Sequence, residues 1–197
     1  MTTFFQGGTA MQMLTGNDFI DEGPFTIDDI FALPEGQRAE LIDGQIYDMA
    51  TPNRMHQTIS FSIARTIADH IDAKNGGCEV YMAPFAVIIQ NDIKNYVEPD
   101  ICVICDKDKL SDRGCEGAPD WIIEIVSPSS RKTDYIIKNT AYSRAGVREY
   151  WIVDPVKERV TVYHYEDDAA PVIYTFTQNV PVGIYPGLTL RIADLIG

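Results

Sequence analysis

The sequence predicts an α/β protein, or α+β by a stricter count, with one mixed β-sheet flanked by helices. The chain has 197 residues, 45% of them hydrophobic, which suits a single domain with a sizeable core. A helical stretch at 130–145 separates two strand-like runs, so a right-handed crossover should make those two strands parallel. Six apolar runs have strand character, at residues 79–89, 99–105, 121–126, 149–153, 159–165 and 172–177.

The amino-terminal part of the chain changes character near residue 24. Residues 1–23 lack hydrophobic periodicity, so we expect a mobile arm ahead of a single domain at 24–197. Thr26 and Asp29 form a capping-box pattern that opens a short helix, and Pro34 ends it.

Two further elements follow before the first long strand run. Asp43-Gly44 separates the apolar runs 39–42 and 45–49, which predicts a β-hairpin with a type I′ turn. Isoleucine then recurs every fourth residue, at positions 59, 63, 67 and 71, which predicts an amphipathic helix over 53–74. Gly146 is placed to end the later helix at 130–145, and extra strands are expected toward the C-terminus.

The charge balance bears on the class of partner. The chain has 16 basic and 29 acidic residues, a net charge of −13, which opposes non-specific binding to nucleic acid. The charge is unevenly distributed: residues 1–50 hold nine acids against Arg38 alone, whereas 131–148 carry a net +4. A basic patch therefore follows the strand run 121–126.

The apolar runs and the cysteines bear on the location and the redox state of the protein. No apolar run approaches the roughly 20 residues that span a bilayer, and no basic residue precedes Arg38, so we expect a cytoplasmic protein without a membrane anchor. Two disulfides or a zinc site are alternatives for the four cysteines. Cys102 and Cys105 stand three residues apart, and on a strand they would face opposite ways, which does not suit a zinc chelate. We expect buried free thiols at Cys78, Cys102, Cys105 and Cys115.

Two carboxylates lie inside apolar strand runs. Asp100 and Glu124 would each cost several kcal/mol to bury without a partner. Strand alternation allows adjacent strands to bring them side by side, where two carboxylates about 4 Å apart repel by roughly 4 kcal/mol at a dielectric near 20. A divalent cation reverses that sign, and the pair predicts a site for Mg²⁺ or Mn²⁺.

The helix after Glu124 presents a polar stripe. Asp134, Lys138 and Tyr142 fall on one face with Arg131, at spacings of three and four residues. Lys138 is the candidate that orients an attacking water, and the alternative is a solvated charge paired with Asp134. The chain contains neither a Gly-x-Ser-x-Gly elbow nor a glycine-rich phosphate loop, which disfavours a serine hydrolase and a nucleoside-triphosphate enzyme.

These residues carry a family resemblance. Asp100 after Pro99, followed by Glu124 on a later strand, resembles the PD-(D/E)XK nuclease pattern, although Val126 stands where that pattern has its lysine. Four blocks stand in order between about Phe25 and Tyr165: 39–44 (AELIDG), 97–100 (VEPD), 121–130 (WIIEIVSPSS) and 142–155 (YSRAGVREYWIVDP). Together these blocks resemble the Uma family of restriction endonucleases.

The resemblance implies a restriction-endonuclease-like core with Asp100 and Glu124 as metal ligands and a catalytic lysine moved to Lys138. It also implies active-site roles for Glu40 and His56. Without the family, Glu40 would be an exposed hairpin acid and His56 a hydrogen-bonded core histidine.

The function expected from the sequence is a Mg²⁺-dependent (or Mn²⁺-dependent) DNA endonuclease. Arg131 and Lys132 are expected to contact the phosphate backbone. The alternative is a catalytically inactive nuclease-fold module that binds nucleic acid or a protein. A homodimer is a further expectation, with residues 180–185 either at the interface or packed in the core.

Overall fold

The computed structural model of the protein describes residues 24–167 and 169–196, so the predicted arm at 1–23 lies outside the described residues. The helices are α1 (Ile27–Phe31), α2 (Arg54–Ala73), a π-helical segment (Thr133–Lys138) that continues as α3 (Asn139–Ala145), and α4 (Ile192–Ile196). The strands are β1 (Ala39–Ile42), β2 (Gln45–Asp48), β3 (Glu79–Met82), β4 (Val87–Ile88), β5 (Ile101–Ile104), β6 (Leu110–Ser111), β7 (Gly114–Glu116), β8 (Trp121–Ile125), β9 (Glu149–Asp154), β10 (Arg159–His164), β11 (Val172–Thr175), β12 (Val180–Pro181) and β13 (Thr189–Leu190).

A six-stranded mixed sheet forms the centre of the molecule, in the order β11-β10-β9-β8-β5-β3. Strands β8 and β9 are parallel, and the other neighbours are antiparallel. The α/β class and the parallel pair joined by a helix are therefore confirmed. Three small sheets surround the central one: β1-β2, β4-β7-β6 and β12-β13.

Helix α2 covers one face of the sheet. Asn53 caps its first turn by accepting a hydrogen bond from the His56 N–H at 3.0 Å. The four periodic isoleucines are buried and pack with Trp121 and Trp151, whose rings meet edge to face. The predicted amphipathic helix is thus confirmed, and its first turn brings His56 to the edge of the core.

The other face of the sheet is covered by the helix that follows β8. Tyr142 of α3 packs against Tyr150 of β9, with ring centroids 5.0 Å apart. The helix ends at Gly146, whose φ of 90° is the left-handed conformation that glycine adopts readily. The predicted glycine cap is confirmed, as is the type I′ hairpin turn, in which Asp43 and Gly44 both have positive φ.

The predicted strand at 79–89 was wrong as a single element. It divides into β3, which belongs to the central sheet, and β4, which pairs with β7 in a separate sheet. Pro84 lies between them, and proline has no N–H with which to continue a ladder. The short elements β6, β7, β12, β13 and α4 were not predicted individually, because two to five residues are too few to show a period.

The prediction for the cysteines was half wrong. Cys78 and Cys105 form a disulfide, whereas Cys102 and Cys115 are free and buried as predicted. The cause is the register of β3 and β5: Glu79 lies opposite Ile104, which places Cys78 opposite Cys105. A sequence without that register gives no basis for the pairing.

Two further predictions concern the segment 180–185 and membrane crossing. Val180 and Val182 are buried in the core under α2, so segment 180–185 contributes to core packing. The homodimer stays a prediction. Within the described ranges, none of the helices has the length and apolar character needed to cross a lipid bilayer.

We expect the packing of α2 to be a main source of stability. Ile63 is fully buried, so Ile63→Ala should lower the free energy of unfolding by about 2 to 5 kcal/mol. Phe61 on the opposite face is 58% exposed and lies under Arg65, so Phe61→Ala should cost about 1 kcal/mol or less. Urea denaturation of both variants measures the difference, and equal losses would show that α2 does not pack as described.

Candidate active site

The five residues predicted as catalytic converge in the structure from five separate segments of the chain. The segments are the hairpin strand β1, the first turn of α2, the start of β5, strand β8 and the end of the π-helical segment. They contribute, in that order, Glu40, His56, Asp100, Glu124 and Lys138.

The register of β5 and β8 places the two predicted metal ligands side by side. Ile101 lies opposite Ile123, so the preceding Asp100 lies opposite Glu124. The Asp100 N–H points toward Glu124 Oε2 at 3.4 Å, and the Ile125 N–H donates to Asp100 Oδ2 at 2.7 Å. The two carboxylates are therefore fixed by main-chain groups of each other's strand.

Lys138 joins this pair to the hairpin. Its Nζ lies 2.7 Å from Glu40 Oε2, 3.0 Å from Glu124 Oε1 and 3.8 Å from Asp134 Oδ1. The side chain of Lys138 is only 5% exposed, so the alternative of a solvated helix charge is wrong, although the predicted pair with Asp134 is present. The core therefore contains a buried ammonium that is surrounded by three carboxylates.

The electrostatics of this cluster follow from burial and crowding. Burial alone lowers the pKa of Lys138, but the charges of Glu124, Glu40 and Asp134 outweigh it and hold the pKa well above its usual value. Burial likewise raises the pKa of Glu124 well above its usual value, because Lys138 offsets only part of the penalty. Lys138 therefore stays protonated and acts as a donor and a positive charge, not as a base.

Glu40 is buried, so its alternative as an exposed hairpin acid is wrong. Its Oε1 accepts a hydrogen bond from the Glu98 N–H at 3.0 Å, while Oε2 faces Lys138. The hairpin thus supplies a carboxylate that holds the ammonium against β8.

His56 contacts the opposite end of the pair. Its Nε2 lies 3.1 Å from Asp100 Oδ2, and its buried Nδ1 has no hydrogen-bond partner among the described residues. Burial lowers the pKa of His56, but the hydrogen bond to Asp100 and the charges of Asp100 and Asp134 prevail, so the pKa is raised above 6.5. His56 is therefore a hydrogen-bonded core histidine that also lies beside Asp100, a candidate metal ligand.

The donor set fits a small divalent cation. Asp100 Oδ1 accepts no hydrogen bond from the described residues, and Glu124 Oε2 has only the long contact to the Asp100 N–H. In the described part of the chain, no three His, Cys, Asp or Glu side chains are grouped to hold a metal together. Mg²⁺ needs no such cage, since one or two carboxylates with waters and substrate phosphate oxygens suffice.

Access to the cluster is on the side of Asp100 and His56. Their side chains are 17% and 11% exposed, whereas those of Glu124 and Lys138 are 4% and 5% exposed. Solvent therefore reaches Asp100 and His56 more readily than Glu124 and Lys138.

Two contributors to the site were not predicted as site residues. Tyr142 donates its hydroxyl hydrogen to Glu124 Oε1 at 2.8 Å, and Glu98 supplies the N–H that fixes Glu40. The helix stripe that contains Lys138 also contains Tyr142, and its position four residues later was the available signal. A main-chain donor such as that of Glu98 leaves no signal in the sequence.

The predicted phosphate-contacting residues lie outside the buried cluster. Arg131 forms two hydrogen bonds with Asp154, at 2.5 and 3.1 Å, and Lys132 is exposed. They directly precede the π-helical segment whose last residue is Lys138.

We expect the crowding of acids to be visible in the pH dependence of stability. Burial raises the pKa of Asp134 to about 6, so the folded state binds an extra proton between about pH 4 and pH 6 and loses stability as pH rises through that window. Asn cannot titrate. As pH rises from 4 to 7, the free energy of unfolding of Asp134→Asn should therefore increase by about 2 kcal/mol relative to that of the wild-type protein.

Chemical denaturation at several pH values measures this gain. Asp112→Asn is the matched control, because Asp112 is exposed, and its curve should parallel that of the wild-type protein. A difference between Asp134→Asn and wild type that stays constant with pH would contradict the assignment.

Comparison with known proteins identifies relatives of this chain. An uncharacterized protein of Synechocystis sp. (strain ATCC 27184 / PCC 6803 / Kazusa) is 29% identical over 133 residues, which cover 67% of this chain and 68% of that protein. The crystal structure of "a putative nuclease belonging to DUF820" from Anabaena variabilis ATCC 29413 aligns with a TM-score of 0.72 and 24% identity, covering 88% of this chain and 98% of that one, which shows a shared fold. The family described as "Putative restriction endonuclease" (Uma2) matches residues 27–193, and the chain therefore belongs to that family, as its sequence predicts.

Proposed function

We propose that the protein is a Mg²⁺-dependent endonuclease that hydrolyses phosphodiester bonds in DNA, with Mn²⁺ as an alternative cation. The observation that carries the proposal is the convergence of Asp100 and Glu124, each with an oxygen left open, beside the buried ammonium of Lys138. Membership of the nuclease family supports the reaction class.

The reaction to be catalysed is an in-line displacement. The oxygen of water forms a bond to phosphorus, the bond from phosphorus to one ester oxygen breaks, the water gives up a proton and the departing oxygen gains one. Asp100 and Glu124 would hold the cation, which when bound supplies Lewis acidity that lowers the pKa of a coordinated water and offsets phosphate charge.

The role of Lys138 follows from its protonation state. Because neighbouring carboxylates raise its pKa, its ammonium can donate a hydrogen bond to the incoming water or to a phosphate oxygen, and it adds positive charge where negative charge develops. Glu40 positions this ammonium by direct contact, and Tyr142 positions it indirectly by holding Glu124.

His56 and the basic residues complete the assignment. His56 orients Asp100 through the contact to Oδ2, which leaves Oδ1 open. Arg131 and Lys132 supply positive charge toward the DNA backbone. Because a net charge of −13 opposes association with DNA, we expect affinity for DNA to rise with divalent cations.

The proposal is tested by neutralising the two ligands. Asp100→Asn and Glu124→Gln should each lower Mg²⁺-stimulated cleavage of plasmid DNA by at least about 100-fold, since each removes a charge on which metal catalysis depends. The matched controls are Asp112→Asn and Glu116→Gln. Both residues are exposed and neither belongs to the buried cluster, so both variants should cleave at the wild-type rate. Full cleavage by either ligand variant would refute the assignment.

A second candidate is a catalytically inactive module that binds nucleic acid or a protein partner through the same fold. Two observations favour it: Val126 occupies the usual lysine position, and the ammonium of Lys138 already compensates the buried carboxylates.

Metal titration separates the two candidates. If the protein is a metal-dependent nuclease, calorimetry should detect Mn²⁺ binding that Asp100→Asn weakens at least about tenfold. If it is a binding module, DNA affinity should be the same with Mn²⁺ and with EDTA, and Asp100→Asn should leave it unchanged.

A further inference from the structure

A cleft with a basic lining, called the basic cleft here, opens beside the helix that presents Lys138. It has a volume of about 610 Å³ and lies between the start of that helix and the turn that joins β9 to β10. Its charged lining consists of Arg131, Lys132, Lys157 and Arg159, which surround Tyr135. Four cations in one cleft are notable in a chain of net charge −13.

The carboxylate nearest to these cations does not face the cleft opening. Asp154 is fully buried and is held by Arg131, by the N–H groups of Val156 and Lys157, and by the hydroxyl of Tyr135. Its negative charge is therefore satisfied from within the protein, and the surface of the cleft is positive.

The four cations divide into two kinds. Arg131 is engaged with Asp154, and Arg159 lies over the ring of Tyr135, 5.5 Å from its centroid, and donates to its hydroxyl. Lys132 and Lys157 are exposed, and neither ammonium forms an ion pair within the described ranges. The arginines thus build the floor of the cleft, and the lysines offer free positive charge.

The position of the cleft relates it to the candidate active site. Lys132 precedes Lys138 by six residues, and the π-helical segment Thr133–Lys138 connects them. Lys132 lines the cleft, whereas Lys138 is buried.

We propose that the basic cleft binds the phosphodiester backbone of the DNA strand beside the phosphate that is cleaved, with Lys132 and Lys157 as its phosphate contacts. This inference rests on the proposed function, which it deepens by adding Lys157 and by assigning Arg131 to the support of the cleft. Exposed ammonium groups recognise phosphate by charge and carry no sequence preference, so the cleft sets the position of the strand.

The experiment measures DNA binding without chemistry. Fluorescence anisotropy of a labelled 20-base-pair duplex is followed in EDTA at several NaCl concentrations, for the wild-type protein and for Lys132→Gln/Lys157→Gln. Each lost phosphate contact should reduce the slope of log affinity against log salt by about 0.9, so the double variant should have a slope shallower by about 1.8. Its affinity at low salt should fall by at least about tenfold.

The matched control is Lys74→Gln/Lys94→Gln, which removes the same charge from two exposed lysines outside the cleft. It should keep the wild-type slope and affinity to within about twofold. Equal slopes and affinities for the cleft variant and the control would overturn the inference. All four lysines are exposed, so thermal melting should show unchanged folding.

The two proposals fail separately. Loss of cleavage in Asp100→Asn together with control-like binding of the cleft variant would remove the cleft and leave the nuclease assignment. Loss of the salt slope in the cleft variant together with full cleavage by Asp100→Asn would support the cleft and remove the catalytic assignment.

Discussion

The buried ammonium of Lys138 is the interaction on which the rest of the site depends. It lies within 4 Å of carboxylate oxygens from Glu40, Glu124 and Asp134, contributed by a hairpin, a central strand and its own helix. Two carboxylates about 4 Å apart repel by roughly 4 kcal/mol at a dielectric near 20, so these acids need a cation to share the core in their charged forms. In the proposed reaction, the same charge that allows them to pack would also act on a phosphate.

The mixed sheet explains how distant residues reach this point. The antiparallel pair β5-β8 sets Asp100 beside Glu124, and the parallel pair β8-β9 requires a crossover helix, which returns over the same face and presents Lys138 and Tyr142 to Glu124. The crossover also places the start of that helix against the β9-β10 turn, where Arg131 binds Asp154. One connection therefore builds both the buried cluster and the basic cleft.

The sequence predicts the framework better than the contacts. Strand alternation and the crossover rule were enough to bring Asp100, Glu124 and the helix of Lys138 together, because they rest on local periods and chain topology. The partner of Lys138 on the hairpin, Glu40, was accessible only through family resemblance, since its contact is made across 98 residues of chain. Likewise, the disulfide of Cys78 depends on the β3-β5 register, which no local pattern encodes.

The most direct test of the central claim is a crystal structure of the protein soaked in Mn²⁺, with the ion located by its anomalous scattering. We expect one peak within coordination distance of both Asp100 and Glu124, with Lys138 still hydrogen-bonded to Glu40. A peak at other residues, or a Lys138 side chain turned away from Glu124 toward solvent, would contradict it.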